Sequence, residues 1–581
     1  MHRKSLLSMF MLSMGVALLA AAMLVGTASA RQTSGTICSN TTSVLCVTQA
    51  GSGFDTLDPQ LSYVSNDWGL LYNTELTLLN FPTKAGSAGT HLIPQAALSL
   101  PSIKNGGLTY VFKIRPGMKL SDGSAVTAAD FQRSFERNIS PQMFAPYGIY
   151  DGLDVFLVGG QAFAQTGKYS CPHGPKCTNN PPNHISGIDA SGLTLTIHLT
   201  QVVPQFTTIM GMPWFQAVSS NLKYSNSSGG VLKYASGGPY YISSNNNQSL
   251  TVLKRNQHFP STSYFRSNWP SNPSQIIVKS DVNSNGTPQL LQAEKNQVDL
   301  AGVASQDVSK VESKYGKNGQ FHIGSTTCIT WNALNNQFHT GGSTAKFDVR
   351  KALNYGLSRS VINGFAGKDA GTSSEQILVP AIPGYKKITY YGGAGNITKA
   401  KQVGGSDLHN APLVIYYRST SNYQTGVAEY IQSQATKMGM NPSLQSSDPS
   451  GFYHPLMTKS IAEGPNGYSI TAFGGWCADY ADGYDYINVN FDGRTIGDTG
   501  NTDYEYFNST QFNHDMDVAA SKTGSARATA YGNLDAEFMH NYAPIIPTQI
   551  SNSRLFASKR VHNWVYSTWW GQPFWNAIKL S

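Results

Sequence analysis

Seven consecutive residues, Gly474-Gly475-Trp476-Cys477-Ala478-Asp479-Tyr480, combine the residue types that a ligand site needs. Two glycines let a second backbone approach closely. Trp476 offers a broad apolar wall with a single donor. Asp479, when ionised, only accepts hydrogen bonds and is suited to a cation. Together they read as one wall of a binding site. The same residues also make an ordinary strand end and turn with Asp479 in water, and local chemistry alone leaves both readings open.

Catalysis would need other parts: an activated nucleophile with its base, or a metal with an open position. The chain has no G-x-S-x-G, no H-E-x-x-H and no Walker-type loop, and its 13 histidines are scattered. No catalytic residue is assigned, and a secreted hydrolase stands only as a remote alternative. Cys171, His173 and Cys177 could hold a metal, but three ligands leave a zinc site incomplete. A small disulfide loop accounts for the same spacing. Neither a metal nor a cofactor is expected.

The elements that must position such a wall show in the periodicity. Leu108, Tyr110, Phe112 and Ile114 alternate with Thr109, Val111 and Lys113, which predicts a half-buried strand. Asp122-Gly123 is a turn signal. Thr127 to Asp130 has capping-box spacing, with Asp where Glu is usual, and Phe131 and Phe135 follow on one helix face. Leu193, Leu195, Ile197 and Leu199 predict a second strand. Leu57-Asp58-Pro59 reads as a turn, followed by a helix-like apolar run over residues 68–79. Gly237-Gly238-Pro239-Tyr240 turns into a strand, and residues 321–337 read as a strand and loop carrying Cys328. Asp348 is expected to cap a helix with Val349, Ala352, Leu353 and Leu357 inward. After a buried strand over residues 414–417, Val427, Tyr430, Ile431, Gln434, Ala435 and Met438 share a helix face that Gly439 stops. This alternation of strands and helices predicts α/β lobes.

The 581 residues are enough for several domains or one large multi-lobed body. Charged residues make up only 13% beside 56 Gly and 30 Tyr, a globular composition that excludes a disordered chain. A formal charge of +8 is weak at this length. Without a dense Lys/Arg block interleaved with aromatics, no nucleic-acid partner is expected. Residues 1–30 read as a secretory signal: Arg3 and Lys4, an apolar run over residues 6–25, and Ala28-Ser29-Ala30 for cleavage. The run is long enough to span a bilayer, so an uncleaved anchor is the alternative. The first cysteine is Cys38, so a lipoprotein cysteine is not supported. Six cysteines in an exported chain allow fifteen disulfide pairings. Nearest neighbours favour Cys38 with Cys46 and Cys171 with Cys177, which leaves Cys328 with Cys477.

The run from Lys113 through Arg115-Pro116-Gly117 to Ser121-Asp122-Gly123, then Thr127-Ala128-Ala129-Asp130-Phe131, Ser134 and Arg137, closely resembles the signature of family 5 solute-binding proteins, the extracytoplasmic peptide receptors of ABC importers. Further markers recur in family order: Leu57-Asp58-Pro59, Gly238-Pro239-Tyr240, Asn332 ahead of the 347–353 segment, and Trp476 to Tyr480. The resemblance covers roughly residues 50–580 and is nearest to the oligopeptide-binding branch.

The resemblance implies an α/β, two-lobed periplasmic-binding-protein fold (type II, cluster C) with an extra domain and mixed sheets joined by a hinge. The implied division is lobe I at 31–85, 218–325 and 545–581, extra domain II at 86–217, and lobe III at 326–544. It implies a Cys328–Cys477 bridge, a peptide α-ammonium held by Asp479, and backbone bonds from Gly475 and Cys477 to an extended peptide. Trp476 would be a wall, with Tyr63, Ser65 and Tyr147 at the cleft. The implied partners are a peptide ligand and ABC importer permease subunits, with the chain a monomer at the periplasmic or extracellular face.

Closure around Asp479 would cost several kcal/mol unless an ammonium arrived with it. A micromolar ligand needs only about 8 kcal/mol net. Phe473 stands where some oligopeptide binders carry an Arg, which puts charge pairing with a peptide C-terminus in doubt. Ala481 and Gly483 replace frequent prolines. The same fold could instead take a nickel chelate, a sugar or another small cation.

Overall fold

The structure is a computed structural model. It describes residues 38–581 except 39–40, 51–53, 55, 144, 146–151, 165–182, 225–233, 247–248, 282–285, 318, 338–341 and 448–450. The expectations for the signal over residues 1–30 and for Tyr147, Cys171, His173 and Cys177 lie outside the described residues. The chain is mixed α/β with both parallel and antiparallel strand pairs. Among the described residues no helix is long and apolar enough to cross a membrane.

The described chain divides into two compact units. The first comprises Thr327–Ala478 and Asp482–Ser551. The second comprises Cys38–Thr326, Asp479–Ala481 and Asn552–Ser581.

In the second unit a mixed sheet runs in the order Tyr240–Asn246, Leu250–Arg255, Gln275–Asp281, Val44–Ala50, Leu300–Gly302. Val44–Ala50 pairs in parallel with Gln275–Asp281, Val44 opposite Gln275. Cys46 and Ile277 on this sheet pack with Leu290 and Ala293 of helix Thr287–Glu294 and with Val308 and Val311 of helix Val308–Tyr315. Cys38 is bonded to Cys46 in the same core.

A separate antiparallel sheet orders Ser102–Lys104, Thr109–Lys113, Thr194–His198 and Ile188–Ser191. Its inward residues are the alternating ones: Tyr110, Phe112, Leu195 and Ile197 are buried. Helix Ala128–Ile139 contributes Phe131 and Phe135, both fully buried. Each such side chain is worth about 1.5–3 kcal/mol. The shorter Asp130 completes the helix start, accepting from the Thr127 N–H at 2.7 Å.

The run over residues 68–79 is not one helix. Helix Ser65–Thr74 ends where the Gly238 N–H donates to the Thr74 carbonyl at 2.9 Å, and Glu75 is extended. A Cβ on Gly238 would lie 2.5 Å from the Thr74 backbone, so only glycine fits there.

The first unit holds a parallel sheet in the order Asn441–Ser447, Pro412–Arg418, Ile470–Thr471. Helix Asn422–Met438 packs Val427, Ile431, Ala435 and Met438 into its core and ends at Gly439, φ +95°. Helix Phe347–Gly356 adds Val349, Ala352 and Leu353. Its N-cap is Lys346, not Asp348. Asp348 sits in the first turn, where its charge still complements the helix dipole.

Candidate functional site

Strand Gly474–Cys477 stands at the end of its sheet and pairs antiparallel with residues 328–331 of strand Phe321–Ala333. The Cα atoms of Cys328 and Cys477 are 4.0 Å apart and the two residues are disulfide-bonded. That close spacing marks a non-hydrogen-bonded antiparallel pair. The alternation puts Gly475 in the same class. The backbone N–H and C=O of Gly475 and Cys477 therefore point to the outer edge, while those of Gly474 and Trp476 face Trp331 and Ile329. Among the described residues no strand pairs with that outer edge. Such an edge is a template for an extended chain. A Cβ on Gly475 would approach the Ile329 carbonyl to 2.9 Å, so the tight pairing requires glycine. Trp476 is half-buried, and its indole N–H meets no acceptor among the described residues.

Asp479 begins the short 479–481 segment of the second unit. The Tyr63 hydroxyl donates to Asp479 Oδ2 at 3.1 Å. A phenol orients the carboxylate without itself supplying positive charge. Tyr63 stacks on Trp214 at 5.6 Å between centroids and meets Trp68 edge-on at 6.1 Å. Both indoles donate to the Ser62 carbonyl, Trp214 at 2.6 Å and Trp68 at 3.1 Å.

The loop carrying Tyr63 is anchored further back. Gln60 Nε2 donates to the Trp214 carbonyl at 3.0 Å, and Gln60 Oε1 accepts from Arg137 Nε at 2.8 Å. Arg137 also pairs with Asp58 at 2.5 Å, with side-chain exposures of 0% and 4%. Tyr63 thus reaches Asp479 from a short loop fixed by a buried ion pair and an aromatic wall.

Arg418 is the last residue of strand Pro412–Arg418, at the carboxyl end of a parallel sheet where α/β folds place ligands. Its guanidinium lies over Phe452 at 4.9 Å and Tyr453 at 5.8 Å. Its Nε is buried without an acceptor, and no carboxylate pairs with it among the described residues. The neighbouring strand Ile470–Thr471 leads through Phe473 into Gly474–Cys477. A rigid cationic fork in that position fits a carboxylate.

Residues 91–498 match the family described as bacterial extracellular solute-binding proteins, family 5 Middle. The chain belongs to this family. It is 22% identical over 402 residues to the oligopeptide-binding protein OppA of Bacillus subtilis (strain 168), covering 66% of this chain and 67% of that protein. It superposes on the clavulanic acid biosynthesis oligopeptide binding protein 2 with a TM-score of 0.78 at 17% identity, over 93% of this chain and 95% of the other. With DppA of Helicobacter pylori in complex with the peptide STSA the TM-score is 0.67 at 17% identity, over 92% and 98%. Family 5 membership and these superpositions establish the periplasmic-binding-protein fold.

The family 5 markers fall into place unevenly. Asp58 and Arg137, 79 positions apart, are partners. Asn332 is fully buried, with neither amide atom bonded among the described residues. Of the expected site residues, Tyr63 and Asp479 come together, and Gly475, Trp476 and Cys477 share one edge strand. Ser65 opens helix Ser65–Thr74 and is exposed, outside the Tyr63–Asp479 pair. The sequence reading missed Trp214, Gln60 and Arg418. Arg418 carried a usable signal: an arginine at the end of a buried strand, just ahead of a helix. Trp214 carried none. Among the described residues no group of three His, Cys, Asp or Glu could hold a metal ion.

Proposed function

We propose that this chain is the extracytoplasmic receptor that delivers peptides, oligopeptides in particular, to an ABC importer. The observation that carries this reading is the outer edge of strand Gly474–Cys477, with Gly475 and Cys477 presenting backbone groups four and two residues before Asp479. An edge strand recognises extended backbone and ignores side chains. In the proposed arrangement Asp479, oriented by Tyr63, takes the α-ammonium. Arg418 takes a carboxylate, and Trp476 forms a wall. Ser65 and Tyr147 are further ligand-binding residues in this reading. The names of the relatives support peptide as the ligand class: OppA binds oligopeptides, and DppA holds the peptide STSA.

The receptor performs no chemistry and needs no cofactor. It is exported through residues 1–30, acts as a monomer and docks on the permease subunits of its importer. The 86–217 segment, with its own antiparallel sheet, is the extra domain between the parts of lobe I (31–85, 218–325 and 545–581), and 326–544 is lobe III.

Native mass spectrometry of protein purified without refolding tests this. A spread of co-purified short-peptide masses is the expected result. One discrete non-peptide mass, such as a metal chelate or a sugar, would replace the peptide reading. Turnover of a peptide or ester library with nothing retained would replace the receptor reading altogether.

A further inference from the structure

Asp503 and Glu505 are buried in the first unit, at 2% and 0% exposure. Among the described residues no Lys or Arg pairs with either. The titratable groups around them are Tyr468, Tyr504 and Tyr506; Glu463, beyond Tyr506, is paired with Lys459 at 3.9 Å. The Tyr468 hydroxyl is committed to the Tyr504 carbonyl at 2.6 Å and that of Tyr506 to the Leu456 carbonyl at 3.0 Å.

Asp503 Oδ1 accepts from the Phe507 N–H at 3.2 Å, and Glu505 Oε1 accepts from the Trp331 indole at 2.6 Å. The remaining oxygens, Asp503 Oδ2 and Glu505 Oε2, meet no donor. The two carboxyls lie within hydrogen-bonding reach of each other. Two such groups in a dry core are compatible only with a proton between them. Burial pushes both pKa values up, and the neighbouring Glu505 pushes Asp503 further.

The loop is forced into this shape. Tyr506, fully buried, adopts φ +49°, a left-handed conformation costly for a bulky residue. Asn336 donates twice to the Glu505 carbonyl, at 2.7 and 3.1 Å.

Trp331 connects the pair to the ligand edge. It lies opposite Gly474, and a Cβ there would sit 3.1 Å from its indole nitrogen. We propose that Glu505, sharing a proton with Asp503 beneath Trp331, is a positioning residue that makes the edge strand Gly474–Cys477 pH-sensitive: ordered while the pair is protonated, loosened as it ionises. By linkage, any arrangement that exposes the pair is favoured as pH rises, because water stabilises the charge that the core does not. The proposal rests on the receptor reading for its consequence, that peptide is held more tightly at acid and neutral than at alkaline pH. It does not rest on that reading for its structural content.

The test is hydrogen exchange of the Gly474 and Trp476 amides, which face strand Phe321–Ala333, between pH 6 and 9.5, corrected for intrinsic rates, in the wild type and in Glu505→Gln. Gln keeps an acceptor for Trp331 but cannot ionise. Protection in the wild type should fall at least tenfold across the range and stay flat in Glu505→Gln. Asp503→Asn should flatten the profile in the same way and serves if Glu505→Gln does not fold. Parallel profiles in wild type and variant would overturn the proposal. Isothermal titration with an unmodified peptide over the same range is the second readout. Binding at no pH in any form would refute the receptor reading, while the exchange profiles would still decide the role of Glu505.

Discussion

The edge strand of the first unit and the Tyr63–Asp479 pair of the second reach rigidity by opposite routes. Strand Gly474–Cys477 presents backbone, is pinned covalently through Cys477, and depends on two glycines for its close approach to strand Phe321–Ala333. Asp479 presents charge and is oriented by a phenol held against indoles. Backbone recognition tolerates any side chain, whereas a fixed carboxylate selects for a cation. The first region should therefore set how broadly ligands are accepted and the second which chemical end of the ligand is read.

The largest expected effect tests the second region's anchorage. Arg137→Ala leaves Asp58 buried and uncompensated, which costs about 3–5 kcal/mol. Urea unfolding should show that loss, and peptides with a free N-terminus should lose affinity even though Arg137 lies three side chains away from Asp479. A loss below about 1 kcal/mol, the range of an exposed pair, would mean that the ion pair does not hold the loop.

A second prop lies under the same loop. Tyr234 donates to Glu75 Oε1 at 2.5 Å and reaches the Leu57 carbonyl, and Thr74 donates to the same Glu75 oxygen at 2.8 Å. Burial, with Asp58 nearby, pushes the Glu75 pKa from 4.5 up to about 8. The folded pKa is raised, so this contribution is fully present below pH 4.5 and is lost as pH climbs towards 8. Wild-type stability should fall by a few kcal/mol over that window. Glu75→Gln should flatten the slope, as read from melting temperature against pH. An unchanged slope would show that Glu75 ionises freely in the fold.

The next prediction sets the two charges against each other. Asp479→Asn should weaken peptides with a free N-terminus by about 1.5–3 kcal/mol, the worth of a charged hydrogen bond, and leave N-acetylated peptides nearly unchanged. Arg418→Gln should do the same for free against amidated C-termini. Calorimetry on the four peptide forms separates these outcomes. Equal losses on all four would reduce both residues to general supports.

What the sequence made legible follows from the range of the interaction involved. Strand Thr109–Lys113, the Thr127–Asp130 helix start and the Gly439 stop are local patterns, and they stand where periodicity and capping place them. The helix over residues 68–79 is cut short by a glycine more than 150 positions away, which no local window contains. Asp58 and Arg137 were both visible as markers, but nothing in their spacing says that one neutralises the other. Trp214 follows Gly211, Met212 and Pro213 without periodic company, so its stacking on Tyr63 belongs to tertiary structure alone. Position 473 carries an aromatic residue that packs edge-on to Tyr423 at 6.4 Å, and the arginine stands instead at 418, on a different strand that only the fold brings beside it.

The smallest expected effect gives the sharpest view of how Asp479 is read. Tyr63→Phe keeps the ring that stacks on Trp214 and removes only the hydroxyl that donates to Asp479 Oδ2. Stability should change little. Affinity for peptides with a free N-terminus should fall by about 0.5–1.5 kcal/mol, the net worth of one hydrogen bond. Tyr63→Ala, which also removes the ring, should cost more, because the faces of Trp68 and Trp214 are then uncovered. If Phe and Ala lose equally, the hydroxyl accounts for the whole effect. If Phe loses nothing, the ring alone matters, and the carboxylate takes its orientation from elsewhere in the 479–481 segment. Combined with Asp479→Asn, the Tyr63→Phe loss should vanish, since the two substitutions remove the same oriented charge and their effects cannot add.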